Sequence, residues 1–110
     1  MSPMESRDGL AEAIYSIYRE DSDYAEILPF FVDELPGECS VLRTFAGAND
    51  FESIRREAHK LRGSAGGYGF PGLSELAGRL EDSCKIQPQD GTSILRILDD
   101  LLDYLAKVRV

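Results

Sequence analysis

Tryptophan is absent from these 110 residues, histidine occurs once and cysteine twice. Cys39 and Cys84 form no C-x-x-C pair, and one histidine beside them falls short of the four ligands of a structural zinc site. Two such lone thiols suit a reducing cytosol and read as small apolar residues. The chain also has no apolar run near the roughly 18 residues of a membrane span. Its start, MSPMESRDGL, lacks the apolar stretch of a secretory leader. A cytoplasmic protein without membrane contact is therefore expected. Positive charge is scarce: 12 basic against 20 acidic residues give −8. That balance excludes a general nucleic-acid binder, which needs a basic surface against phosphates.

With 43% hydrophobic and 29% charged residues, the composition is that of one ordinary folded domain spanning 1–110. Charge is uneven along it: residues 1–50 carry −8, residues 51–70 carry +2 and residues 71–110 carry −2. The one basic segment holds the one histidine. Period-two alternation is missing, and apolar residues recur at helical spacing. Leu10, Ile14, Ile17 and Tyr18 predict a short N-terminal helix, after a frayed polar start at 1–8.

A longer helix follows, capped by Ser22 or Asp23 and carrying Ile27, Phe31, Leu35, Leu42 and Phe45 to about Ala46. Pro29 predicts a late start or kink and Pro36 a bend; Gly47 is the expected stop, with Asn49 or Asp50 capping the next helix. That helix runs from about Phe51 to Ala65 on Phe51, Ile54, Ala58, Leu61 and Ala65. GGYGFPG reads as a turn, with Pro71 opening a helix to about Lys85; QPQDGT separates it from a last helix ending near Lys107. The expected fold is all-α: an antiparallel up-down four-helix bundle over about 23–108 with a short extra N-terminal helix.

At about 100° per residue, the apolar stripe of the Phe51 helix centres near 315° and His59 falls near 80°, well off the core. Arg55 lies one turn before His59; Arg62 and Gly63 lie one turn after. A surface histidine on a basic face is the plain reading. Against it, Gly63 and Ser64 are poor helix formers in a helix interior. A glycine one turn from an exposed imidazole also clears one edge of the ring. A phosphoryl group fits that setting: neutral imidazole is a nucleophile near pH 7, and nearby cations can hold the product's charge.

The stretch AHKLRGSAGGYGFPGLSELAGRLE, residues 58–81, resembles the histidine-containing phosphotransfer (HPt) domain and its pattern A-H-x-L-K-G-S-[SA], followed by a loop and L-x-x-x-x-x-x-L-E. The resemblance implies that His59 is the phosphoacceptor and that Gly63 gives access to it. Arg62 stands where the family usually has lysine and would stabilise the phosphoryl charge. Arg55, Arg56, Lys60 and Ser64 become partner contacts, with Lys60 at the rim and Arg56 better placed. Leu61, Leu73, Leu76 and Leu80 match apolar positions that core packing explains equally. GGYGFP replaces the family's commoner loop, a change able to alter partner choice.

By the same resemblance the chain would be a phosphorelay intermediate, accepting a phosphoryl group from a receiver-domain aspartate and passing it to another receiver. Its partners would be response-regulator receivers and a hybrid histidine kinase. It would be a carrier rather than an ATP-using enzyme, since GSAGGYG matches neither a Walker A nor a kinase glycine-rich loop. No cofactor or metal site is expected; Mg2+ would sit in the receiver's acidic cluster, and the acidic residues here read as solubilising helix faces. With no linker-like tail a free-standing protein is expected, and a bundle complete with four helices predicts a monomer. Two other readings stay open: the phosphotransfer domain of a chemotaxis-type kinase, and a helical binding module whose histidine is idle.

Overall fold

A computed structural model describes residues 13–110; the expected frayed start at 1–8 and Leu10 lie outside it. Four helices follow one another: α1 (Ile27–Gly47), α2 (Phe51–Gly67), α3 (Pro71–Lys85) and α4 (Gly91–Lys107). Short connections turn the chain back each time, giving an up-down bundle in which α1 packs on α2 and α4, and α3 packs on α2 and α4. The α2–α3 pair is the most intimate of these contacts.

The core is the sum of the four apolar stripes. α1 gives Leu28, Phe31, Leu35 and Leu42; α2 gives Ile54, Ala58, Leu61 and Ala65. α3 gives Leu73, Ala77, Leu80 and Cys84, and α4 gives Ile94, Leu98, Leu101 and Leu105. In α1 the buried residue of the first turn is Leu28, not Ile27, which is exposed. Leu28 stands three and seven places before Phe31 and Leu35, about 30° from the centre of the stripe, whereas Ile27 lies about 70° from it on the other side.

The helix boundaries follow local chemistry. α1 begins at Ile27, so Pro29 sits in the first turn, where its missing N–H has no acceptor to lose. The expected cap at Ser22 or Asp23 is not made; Asp21 instead accepts from the Asp23 N–H at 2.9 Å and caps a separate 3-10 turn, Ser22–Tyr24. Pro36 lies within α1, which continues through it. The reversal after α1 is carried by Asn49, at φ 52°, rather than by Gly47. The Asp50 N–H reaches back to the Phe45 carbonyl and that of Asn49 to Ala46, which satisfies two end carbonyls. Asp50 then caps α2 by accepting from the Ser53 N–H at 3.1 Å.

The turn between α2 and α3 repeats the device with Gly69 at φ 85°, the Phe70 N–H bonding the Ala65 carbonyl at 2.8 Å. Phe70 is fully buried behind it, and Pro71 opens α3. Asp90 caps α4 by accepting from the Ser93 N–H.

The N-terminal segment departs from expectation: Ile14, Ile17 and Tyr18 are not helical. Ile14 pairs with Val108 in an isolated parallel bridge, donating to the Lys107 carbonyl and accepting from the Arg109 N–H, each at 2.8 Å. Further on, the Ser16 hydroxyl donates to the Tyr68 carbonyl at 2.6 Å, and the Ile17 N–H donates to the Gly69 carbonyl at 2.9 Å. Tyr18 stacks on Tyr24. The segment is a strap across one end of the bundle. Its apolar spacing matched a helix, but these long-range bonds outweigh the weak propensity of so short a segment.

Candidate functional site

α2 presents His59 to solvent, with 70% of its side chain exposed. Across the α2–α3 seam stands Glu81, whose side chain is only 3% exposed. The imidazole Nδ1 lies 2.8 Å from Glu81 Oε2. A carboxylate there can only accept, so Nδ1 carries the proton and donates it. Nε2, the other ring nitrogen, takes no part in that bond.

Two cations complete the group. Arg62, on α2, donates from Nη1 to Glu81 Oε1 at 3.3 Å. Lys85, one turn beyond Glu81 on α3, brings Nζ to 3.3 Å from Oε2, the same oxygen that receives the imidazole proton. Burial pushes the Glu81 carboxyl upward, but donors from His59, Lys85 and Arg62 outweigh it and hold the group below the ordinary glutamate range. Glu81 is thus an ionised carboxylate in a buried position, with three donors at its oxygens.

Glycines shape the seam. Gly78 is buried beneath Arg62: a Cβ there would stand 3.2 Å from Arg62 Nε, so its absence lets the guanidinium lie across α3. Ser74 Oγ, one turn earlier, donates to the Arg62 carbonyl at 2.8 Å. Gly63 differs. It is exposed, and a Cβ built on it meets nothing within 4 Å. Among the described residues nothing stands where a Cβ there would go; the glycine bears on what approaches from outside.

The other expected site residues are turned elsewhere. Arg55 is held by Glu52 through two bonds of 3.0 and 2.6 Å along its own helix. Arg56 donates to Ser53 Oγ at 3.2 Å, and Lys60 pairs with Glu57 at 3.3 Å. Ser64 Oγ bonds back to the carbonyls of Lys60 and Leu61. The structure therefore gathers His59 and Arg62 and leaves Arg55, Arg56, Lys60 and Ser64 on local partners. It adds Glu81, Lys85 and Gly78, none of which was given a role from the sequence.

Glu81 also corrects the reading of all acidic residues as solubilising. The signal was present: Leu73, Ala77, Leu80, Glu81 and Cys84 fall on one stripe, so a glutamate occupies a core position. Among the described residues no group of three or more His, Cys, Asp and Glu side chains is arranged to hold a metal ion. No described helix is long and apolar enough to cross a membrane.

Comparison with curated proteins and with solved structures gave no match. Against protein-family models, residues 26–109 match the Hpt domain, a span that takes in all four helices. The chain belongs to the Hpt domain family, the phosphocarrier modules through which receiver domains and kinases exchange phosphoryl groups in two-component signalling.

Proposed function

We propose that this protein is a phosphorelay intermediate in which His59 takes a phosphoryl group from a receiver-domain aspartate and hands it to the aspartate of a second receiver. The observation that carries this reading is the His59 Nδ1 to Glu81 bond, 2.8 Å long and fixed from a buried side chain. By holding the proton on Nδ1, it keeps the Nε2 lone pair on the exposed edge as the nucleophile.

In the forward step Nε2 attacks phosphorus. The N–P bond forms as the P–O bond to the receiver's carboxylate breaks, and the aspartate departs as a free carboxylate. The imidazole retains its Nδ1 proton and gains positive charge, which the Glu81 carboxylate, one hydrogen bond away, stabilises. Arg62 and Lys85, both paired with Glu81, set positive charge beside the ring that takes the phosphoryl group. Transfer to the second receiver is the reverse of these movements. Gly63 leaves the approach to the ring open, and Mg2+ belongs to the receiver's own acidic cluster. No step draws on ATP bound by this chain.

The test is transfer from a panel of phosphorylated receiver domains to wild type and His59→Gln. Acid-labile, alkali-stable label on wild type alone is the expected result. Equal labelling of His59→Gln, or no labelling of wild type by any receiver, would overturn the reading. In the second case a chemotaxis-type kinase with ATP becomes the donor to try.

A further inference from the structure

A groove of about 480 Å3 runs along the outer α2–α3 seam, with Ile17, Arg62, Gly66 and Gly78 among its walls. Arg62, which bridges to Glu81 beside His59, and Ile17, on the N-terminal strap, both line it. On the wheel of α2, Gly66 falls within about 20° of His59 and Arg62 within about 60°, so the groove continues the histidine's own face. The depression on the far side of α2, lined by Phe30, Lys60 and Ser64, lies about 100° or more round the helix.

Ile17 is 67% exposed. A lone exposed isoleucine needs no explanation in general. This one is held in place. Its N–H bonds the Gly69 carbonyl, and the preceding Ser16 hydroxyl bonds both the Tyr68 carbonyl and the Tyr18 N–H. The fit is close: a Cβ on Gly69 would collide with Ser16 and Tyr18. The strap also lies before residue 26, where the match to the Hpt family begins. It extends the face that bears the histidine beyond the span matched to the family.

We propose that Ile17 is a specificity-determining contact for the receiver domain that exchanges phosphoryl groups with His59. The receiver must cover the histidine to bring its aspartate to Nε2. Continuing along the same face, past Arg62 and the bare backbone at Gly66, it reaches Ile17. The charges along the groove are mixed, Arg62 and Arg79 against Glu75 and Asp82, so the apolar Ile17 selects the partner by burial more than by attraction. The inference rests on the phosphorelay reading of His59.

The test compares steady-state transfer from the best phosphorylated receiver to wild type, Ile17→Ser, Ile17→Leu and Phe30→Ser. Phe30, 73% exposed, is the matching apolar loss on the far depression. Ile17→Ser should raise KM about fivefold to tenfold while the saturating rate stays within about twofold. Ile17→Leu should restore the wild-type KM and Phe30→Ser should leave it unchanged, with unaltered melting in all three. An unchanged KM in Ile17→Ser, with wild type labelling normally, sinks this inference and leaves the phosphorelay intact. A rise in Phe30→Ser instead places the receiver on the other side of α2 and overturns it. Failure of every receiver to label wild type removes both.

Discussion

Two glutamates withdraw from water on opposite edges of α2, and they end in opposite states. Glu81, beside His59, is surrounded by donors and held below the ordinary carboxylate range. Glu38, on α1, is half-buried with Oε1 sealed from solvent and, among the described residues, no donor bonded to that oxygen. Its pKa is pushed up to about 7, first by burial and then by the hydrogen bond and charge of Glu57, with Glu34 adding to the rise and Lys60 opposing it. Two carboxylates can share such a bond only if one holds a proton. Burial acts alike on both glutamates; the neighbours decide which way each titrates. The α2–α3 edge is built to keep a charge, and the α1–α2 edge to lose one.

The sharpest way to break this contrast is at Glu81. Glu81→Ala removes the acceptor that fixes Nδ1–H and frees Arg62 and Lys85, so phosphoryl transfer should slow about 10- to 100-fold at saturating receiver. Glu81→Gln, whose amide oxygen still accepts, should lose less. Rapid-quench transfer with both variants measures the difference, and wild-type rates in Glu81→Ala would show the carboxylate to be mere packing.

Gly63 sharpens the contrast from outside. Gly63→Leu should slow transfer about tenfold while the melting temperature holds or rises, since a Cβ there meets nothing within 4 Å among the described residues and leucine is the better helix former. A fall in melting temperature that accounts for the lost transfer would remove the access argument.

The smallest expected effect is on the other edge. The folded pKa of Glu38, about 7, lies above the ordinary value of 4.5, so the folded chain binds the additional proton between them. Its contribution is complete below about pH 4.5 and is lost as pH rises through about 7. Glu38→Gln should therefore raise the melting temperature by about 2–4 °C at pH 8 and change little at pH 5. Thermal melts across that range test the sign; an equal shift at both ends would mean that Glu38 is not protonated in the fold.

The sequence made the helices legible because each has a long apolar stripe and, in α2 and α4, an aspartate cap directly before it. His59 and Arg62 were legible because both are local to one helix. What escaped depends on contacts between distant segments. Glu81 meets His59 across 22 positions, and only its place in an apolar stripe marks it as buried. The strap was misread because Ile14 is settled by Val108, which no local spacing can announce. Asn49 displaced Gly47 as the reversing residue because asparagine also tolerates a positive φ. Arg55 looked like part of the site on a helical wheel, which shows direction but not that Glu52 already occupies it.

The packing of Arg62 over Gly78, with Ser74 bonded to the Arg62 carbonyl, acts as an index mark between two helices. A bare seam of small side chains could slip by one turn, about 5.4 Å, with little change in buried area. Here such a slip would set the guanidinium against a side chain, leave the Ser74 hydroxyl without its acceptor and carry Glu81 out of reach of the imidazole. The alignment of one hydrogen bond at His59 is thus stored in the relative register of α2 and α3, three positions along the seam from the bond itself.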